Sequence, residues 1–411
     1  MGRSAIYMVM GMTFIFLFFG KTMSDSGTEA FSNAIDYYES TQTYNIAEAG
    51  ANLACNQIFM NSNWRTGFTN VAMNDGRFTV TVDTTTYVGK VLLTSTGIFQ
   101  QDTHVVRILL SPSSIAKFAM YSGNVSAAAK LRSGDTVDGP IHFNNKLVTQ
   151  GNPVFTGKAT MGSLQTTSGT PTFLGGYQEG VNVSFPSYSS NAASIASDAS
   201  TSGGTNNYKV GGEMWLRFSV VAGVGMVEYK TNSGAAWGAP VNITTFAPNG
   251  KIAIVNGALH VQGTVKGEVT ITSTVSPSST TPTSTVGATY IDGNLQYNTD
   301  PLTNPSSTDK LGLVSAGDIT INTLPIRMDG AYFTNTKATL GGTLANTNPS
   351  KQLKIVGSLI TREINSTDFG TGATKGAKFY MKYDNRFEDD PPEDFPNPTV
   401  NNSFEVLSWF E

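Results

Sequence analysis

Between Arg3 and Lys21 the chain carries no charged residue, and this run (residues 4–20, SAIYMVMGMTFIFLFFG) passes into further helix-compatible sequence with no turn signal between them. At about 1.5 Å per residue the run nearly crosses a hydrocarbon layer of about 30 Å. Arg3 and Lys21 stand where long cationic side chains snorkel to the two interfaces. From Lys21 to Asn61 there is no proline, and glycine appears only at Gly27 and Gly50, so nothing forces the helix to stop. The pattern reads as a membrane anchor built into the first part of one long helix. A cleaved secretory signal competes with that reading, but the run closes on Phe16, Leu17, Phe18 and Phe19 and meets no small-x-small cleavage site before Lys21.

Beyond the anchor, apolar or small residues recur at Ala30, Ala34, Tyr37, Tyr44, Ala47, Ala51, Ala54 and Ile58, and again at Ile35, Tyr38, Ile46, Ala49, Leu53 and Met60. Steps of three, four and their sums are the helical period. Two stripes imply two partners. One stripe is expected to bury under the chain's own globular part. The other, rich in Ala and Gly around Ala47, Glu48, Ala49, Gly50 and Ala51, is expected to let a second helix approach closely, as small residues do between membrane helices. The alternative is a single amphipathic helix packed wholly on its own domain.

A very short leader, a hydrophobic run, a continuing amphipathic helix and the segment Ala47-Glu48-Ala49-Gly50-Ala51 together resemble the N-terminus of type IV pilin-like proteins, in particular the larger minor-pilin-like group. In that family a glycine precedes the peptidase cut and a glutamate follows at the fifth mature position. Gly2, followed by Arg3, stands in the first place as a candidate processing position, and Tyr7, which is not acidic, stands in the second. The resemblance implies a pilin-like protein, held in the membrane or assembled with other pilin-like subunits or with itself, whose processing departs from the family pattern.

The 411 residues suffice for two or three domains. Charged residues make up only 14%, against roughly 25% in ordinary soluble domains, and 42 glycines with many Ser, Thr and Asn point to turn-rich β structure. A net charge of −4 advertises no basic surface for nucleic acid or anionic lipid. The single Cys55 excludes an internal disulfide framework and a cysteine metal cluster, leaving a small buried apolar residue or an intermolecular disulfide as its roles. Because the positive end precedes the span, the N-terminus is expected in the cytoplasm and the body outside, in a bacterial envelope with inner-membrane anchoring.

Residues 77–82 alternate strictly, and 90–96 and 104–110 are strand-like runs, with turns at Asp75-Gly76 and Gly97. These predict an antiparallel meander under the helix, as in pilins. From residue 124 short apolar triplets enter through glycines such as Gly139, Gly257, Gly293, Gly317, Gly330 and Gly357. Short strands after turn glycines suit the stacked rungs of a parallel β-helix, although their spacing is irregular and a β-sandwich is the alternative. This section and the ending 383–409 resemble the β-rich domain carried by pilin-like proteins of this size. Two hydroxyl-rich tracts, 187–207 and 272–285, read as loops. Between them, 208–249 reads as an inserted β subdomain whose Trp215 and Trp237 are candidates for stacking carbohydrate, with buried core aromatics the blander reading.

Chemical motifs are scarce. His104, His142 and His260 show no metal spacing, although His142 and His260 follow turn glycines and are candidates to share one solenoid face. Glu388, Asp389, Asp390, Glu393 and Asp394 offer hard oxygen ligands for calcium, against a solvated loop around two prolines. Paired carboxylates in a solenoid groove would make a glycan-active enzyme, a reading that rests on fold analogy. The expectation is an α+β, mostly β chain with no catalytic, cofactor or metal site: a membrane-anchoring and assembly helix over 1–64, a pilin-like antiparallel sheet over 65–120, and a β-rich, solenoid-like domain over 121–411. Its function is read as structural and non-enzymatic, with a membrane-anchored glycan-active enzyme or a surface adhesin as alternatives and no nucleic-acid partner.

Overall fold

A computed structural model describes residues 2–61, 63–87, 90–112, 114–125, 131–276, 285–324, 326–341, 351–364, 377–396 and 404–410. The proline-punctuated part of the second hydroxyl tract, 277–284, lies outside the described residues. The chain divides into two compact units, residues 1–112 with 401–411, and residues 113–400.

The first unit begins with one helix, α1 (Gly2–Met60), of 59 residues, about 90 Å long at 1.5 Å per residue. Hydroxyls along it do not break it, because Thr13, Thr22 and Thr28 donate to the carbonyls of Val9, Phe18 and Ser24 at 2.8, 2.9 and 2.9 Å. The strands β1 (Phe68–Met73), β2 (Gly76–Asp83), β3 (Val91–Phe99) and β4 (Asp102–Pro112) form the expected antiparallel meander. The C-terminal strand Phe404–Phe410 returns to this sheet and pairs antiparallel with β4, whereas the ending was expected with the β-rich body. Its pairing covers an edge that β4 would otherwise present as unpaired backbone.

The last third of α1 packs on the sheet, and just ahead of it the Tyr38 ring meets Phe99 of β3 edge-on, ring centres 6.0 Å apart. Ile46, Ala47, Ala51, Ala54 and Ile58 are fully buried with Phe78, Val80, Val91, Leu93, Val106 and Ile108. Two glycines set the close approach. A Cβ on Gly50 would lie 2.6 Å from Ser95 Oγ and 2.7 Å from the Phe78 ring, and one on Gly97 would lie 2.5 Å from the Thr43 carbonyl oxygen. The small residues expected to receive a second helix are therefore the seat of the chain's own sheet.

The second unit is built from parallel rungs in three columns, the β-helix-like arrangement that short glycine-entered strands predict. The first column stacks residues 251–255, 270–274, 312–315, 331–334, 358–361, 120–122, 141–143 and 159–161. The second stacks 213–217, 258–262, 289–291, 319–321 and 338–340. The third stacks 326–329, 353–356, 380–382, 136–138, 154–155 and 172–173. Stack order is not chain order. The chain enters in the middle, winds to one end at residues 172–178, and resumes at the other end with the strand Tyr208–Val221. It then winds back until Leu359 pairs with Met120 and Tyr380 with Thr136, closing a seam between late and early sequence.

The return is made partly by helix α2 (Ser189–Thr201), which packs on strands Lys251–Val265 and Glu268–Thr274, where the first hydroxyl-rich tract was expected to be a loop. Ala192, Ile195 and Ala199 are its buried face, a three-and-four spacing hidden among serines. Strand Tyr208–Val221 also pairs antiparallel with Val224–Lys230, so the 208–249 subdomain joins the stack as its end rung. Near the opposite end Gly139, Gly157 and Gly175 recur every 18 residues and lie directly on one another. A Cβ on Gly157 would sit 2.2 Å from the Gly139 carbonyl carbon, so the rungs meet backbone to backbone.

At the seam Asp135, 1% exposed, accepts hydrogen bonds from the amides of Arg132 at 2.7 Å and Phe379 at 2.9 Å. Burial pushes its carboxyl up from 3.8 to about 6 against these bonds and the nearby Arg132 and Lys378 charges.

Two outcomes follow from this packing. Gly50→Leu overpacks the helix–sheet contact and should cost on the order of 1–3 kcal/mol, read as a lower melting temperature in nonionic detergent, whereas Gly27→Leu, with nothing within 4 Å, should melt like the parent. For Asp135 the folded protein holds the proton more tightly than the unfolded chain. Its stabilising contribution is therefore full below about pH 3.8 and is lost as pH rises through about 6, a change on the order of 3 kcal/mol. Melting curves from pH 4 to 6.5 should show this decline in the parent and a flatter profile in Asp135→Asn.

Candidate functional site

Among the described residues, a continuous run of uncovered apolar side chains belongs to the part of α1 that leaves the sheet. Phe16, Phe18 and Leu17 are 73%, 70% and 64% exposed, and the whole run from Ile6 to Phe19 is uncovered by its own chain. By length and composition this stretch is able to cross a membrane. Gly2 and Arg3 lie exposed in its first turn.

Between the apolar run and the sheet, residues 21–42 form a helical stalk that is exposed almost throughout. At about 100° per residue, Asp25, Glu29 and Asp36 fall on the side that farther along faces the sheet. Met23, Gly27, Ala30, Phe31, Ala34 and Tyr37 fall roughly opposite. Phe31 and Tyr37 are 69% and 75% exposed. The stalk thus presents an apolar, small-residue stripe away from its own sheet.

The stripe rotates, and that accounts for the sequence-level assignment. Residues 30, 37, 44, 51 and 58 follow a strict seven-residue step, which on a straight helix drifts by about 20° per heptad. Over four heptads the series moves by about 80°, from the outer face at Ala30 and Tyr37 to the sheet face at Ala51 and Ile58. Of the five residues expected to meet a second helix, Ala47, Gly50 and Ala51 are buried in the sheet contact, while Glu48 and Ala49 are half-buried beside it. The drift is the signal that would have separated the two faces.

The remaining candidate sites have partners within the chain. Trp215 stacks on His260 with ring centres 3.6 Å apart and carries the Lys230 ammonium 4.7 Å from its own ring centre. Trp237 lies under Arg217 and Lys230 at 4.7 and 4.9 Å, so protein groups occupy the ring surfaces proposed for sugar. His142 and His260 do not share a column: His142 pairs in register with Tyr121 and Thr160, and His260 with Trp215 and Tyr290. The His142 ring nitrogens meet Thr160 Oγ1 and Asn144 Oδ1, each at 2.8 Å, and burial lowers its pKa. His260 Nδ1 is 2.7 Å from Asp292 Oδ2.

The acidic segment does not gather around an ion. Glu393 and Asp394 each stand 2.9 Å from Lys251 Nζ, and Asp390 pairs with Lys310, tying the segment across the first column. Among the described residues no group of three potential ligands could hold a metal. Cys55 is half-buried beside a groove of about 260 Å³ lined by Asn56, Phe59, Leu110, Phe404 and Val406, and burial pushes its thiol up to about 11, which leaves it protonated and unreactive near neutral pH.

No protein-family model matches the chain, and no curated protein matches it. Among solved structures, it is similar to the crystal structure of the competence-associated pilin ComZ from Thermus thermophilus, with 12% sequence identity and a TM-score of 0.35, over 91% of this chain and 97% of that one.

Proposed function

We propose that the chain is a structural, pilin-like protein of the bacterial cell envelope, anchored through residues 4–20 and assembled with other pilin-like subunits, or with itself, through the outer stripe of the stalk. One observation carries this reading: a single helix is sealed against its own sheet along its last third and is uncovered along the rest, where it turns from wholly apolar to amphipathic. An apolar helix of this length is costly to leave in water, and a hydrocarbon layer removes that cost. The stalk's Gly27, Ala30 and Ala34 let helices approach closely, and Phe31 and Tyr37 supply contact area. The solenoid body is then the displayed part, outside the membrane, a placement supported by the positive N-terminal end that precedes the span. The site is mechanical, and its work is placement and assembly rather than chemistry.

Cell fractionation tests both halves of this reading. The full chain should sediment with membranes or sheared filaments, and a chain lacking residues 1–24 should be soluble and fold as before. Phe31→Ser with Ala34→Glu should keep membrane sedimentation and the parent melting temperature but lose cross-links between subunits. A truncated chain that still sediments with membranes would refute the anchor, and unchanged cross-linking would refute the stripe.

A further inference from the structure

No Lys, Arg or His lies between Lys21 and Arg65, so the carboxylates of the stalk have no basic neighbour along their own helix beyond Lys21. Asp25 and Asp36 stand about 16.5 Å apart along the axis and within about 20° of one line, and Glu29 falls between them within about 40° of it. The line continues through Thr43 and Gly50 into the buried seat on the sheet. All three carboxylates are exposed, and among the described residues none has an ion pair.

The face of the five-stranded sheet turned away from α1 carries the opposite charge. Phe78 and Ile108 are buried under the helix, so their neighbours Arg77 and Arg107 stand on the other face, where both are exposed. Among the described residues neither has an ion pair. Arg77 pairs in register with Ile98 and Arg107 with Thr94, on the two sides of β3. Four residues along a strand and two strand spacings across it put their backbones about 17 Å apart, close to the spacing of Asp25 and Asp36. Between them lie the half-buried Thr94, Thr96, Ile98 and Val105. The acids of this face, Asp83 and Glu405, lie toward the start of β3, in register with Leu92 and Ser111, and Asp83 accepts from Thr85 Oγ1 at 2.7 Å.

We infer that this outer face of the sheet receives the stalk of a second copy of the chain, with Asp25 and Asp36 set against Arg77 and Arg107. The inference rests on the assembly reading above and adds the surface that the acidic side of the stalk meets. Charge complementarity selects a second copy, because the chain carries both halves of the contact, unpaired and similarly spaced. Its own fold keeps them apart: the acidic line runs into the helix-facing side of the sheet, and the arginines are on the opposite side. A copy that lends its stalk to one neighbour leaves its own sheet face for another, so the contact is head-to-tail and propagates. The middle of the acidic stretch lies about 30 Å along the axis from the middle of the seat. Parallel copies in contact are therefore displaced by about that distance, as in a filament and not as in a pair at one level of a membrane.

The test places a photoreactive residue at Thr96, between the two arginines, in the whole reconstituted chain, mixes isotope-labelled and unlabelled copies, and identifies the captured segment by mass spectrometry. Capture should join Thr96 of one copy to residues 25–36 of another. Asp25→Lys with Asp36→Lys should lower the captured fraction by about tenfold, as should Arg77→Glu with Arg107→Glu, because like charges then face one another. Each should keep the parent melting temperature, and the four changes together should restore capture. Reversal at the exposed Lys158 and Lys351 should leave it near that of the parent. Capture of a segment other than the stalk, unchanged capture in either double reversal, no recovery in the fourfold variant, or loss of capture on adding a chelator overturns the inference. Stripe-driven assembly is read separately, by the subunit cross-links that Phe31→Ser with Ala34→Glu removes, and a parent chain whose copies never cross-link overturns both.

Discussion

The contact between the last third of α1 and its sheet determines what the rest of the helix must do. Gly50 against Ser95 and Phe78, and Gly97 against the Thr43 carbonyl, bring the helix close enough for Ala47, Ala51 and Ala54 to be fully buried. Small residues give little area each, so the seat depends on close packing along its length. With that face committed to the sheet, the apolar surface of residues 4–20 and of the stalk is left for surroundings other than its own chain. Membrane anchoring and subunit assembly are both readings of that one constraint.

The solenoid follows a different logic. A stack of rungs has two open ends and exposes backbone at each. Here the chain starts in the middle of the stack, so its late rungs are stitched to its early ones along a seam. Asp135 marks that seam, taking amides from both sides while its burial disfavours the charged form. One end is finished by the hairpin of Tyr208–Val221 and Val224–Lys230. The outside of the first column is covered by α2 and by the acidic segment, whose carboxylates hold Lys251 and Lys310 across the rungs. This explains why Glu268–Thr274 is buried at nearly every position although its serines and threonines read as surface: Thr272 and Ser273 donate to the carbonyls of Val314 and Ala288 inside the covered layer.

What was legible in the sequence was whatever a local period could encode. The uninterrupted helix, the alternating residues 77–82 and the glycine-entered triplets each signal an element whose form depends on near neighbours. The parts that were not legible depend on distant pairing or on slow drift. The heptad step from Ala30 to Ile58 looks like one face but turns through two, and this moved the expected assembly surface onto the sheet contact. The 18-residue recurrence of Gly139, Gly157 and Gly175 is regular, yet it covers only one end of a stack whose other rungs carry insertions such as residues 298–309. The return of Phe404–Phe410 to β4 has no local signature, because it exists only once remote segments lie side by side.

Hydrogen exchange along α1, measured by mass spectrometry on the dispersed chain in nonionic detergent and again after reconstitution and assembly, tests the central claim most directly. Residues 43–58 should be protected in both states to the level of the sheet. Residues 4–20 should be protected wherever detergent or lipid surrounds them, and the stalk, residues 21–42, should exchange quickly when dispersed and become protected on assembly. Protection of the stalk in the dispersed chain equal to that of residues 43–58 would contradict the account, since it would mean that the chain's own body covers the surface assigned here to its partners.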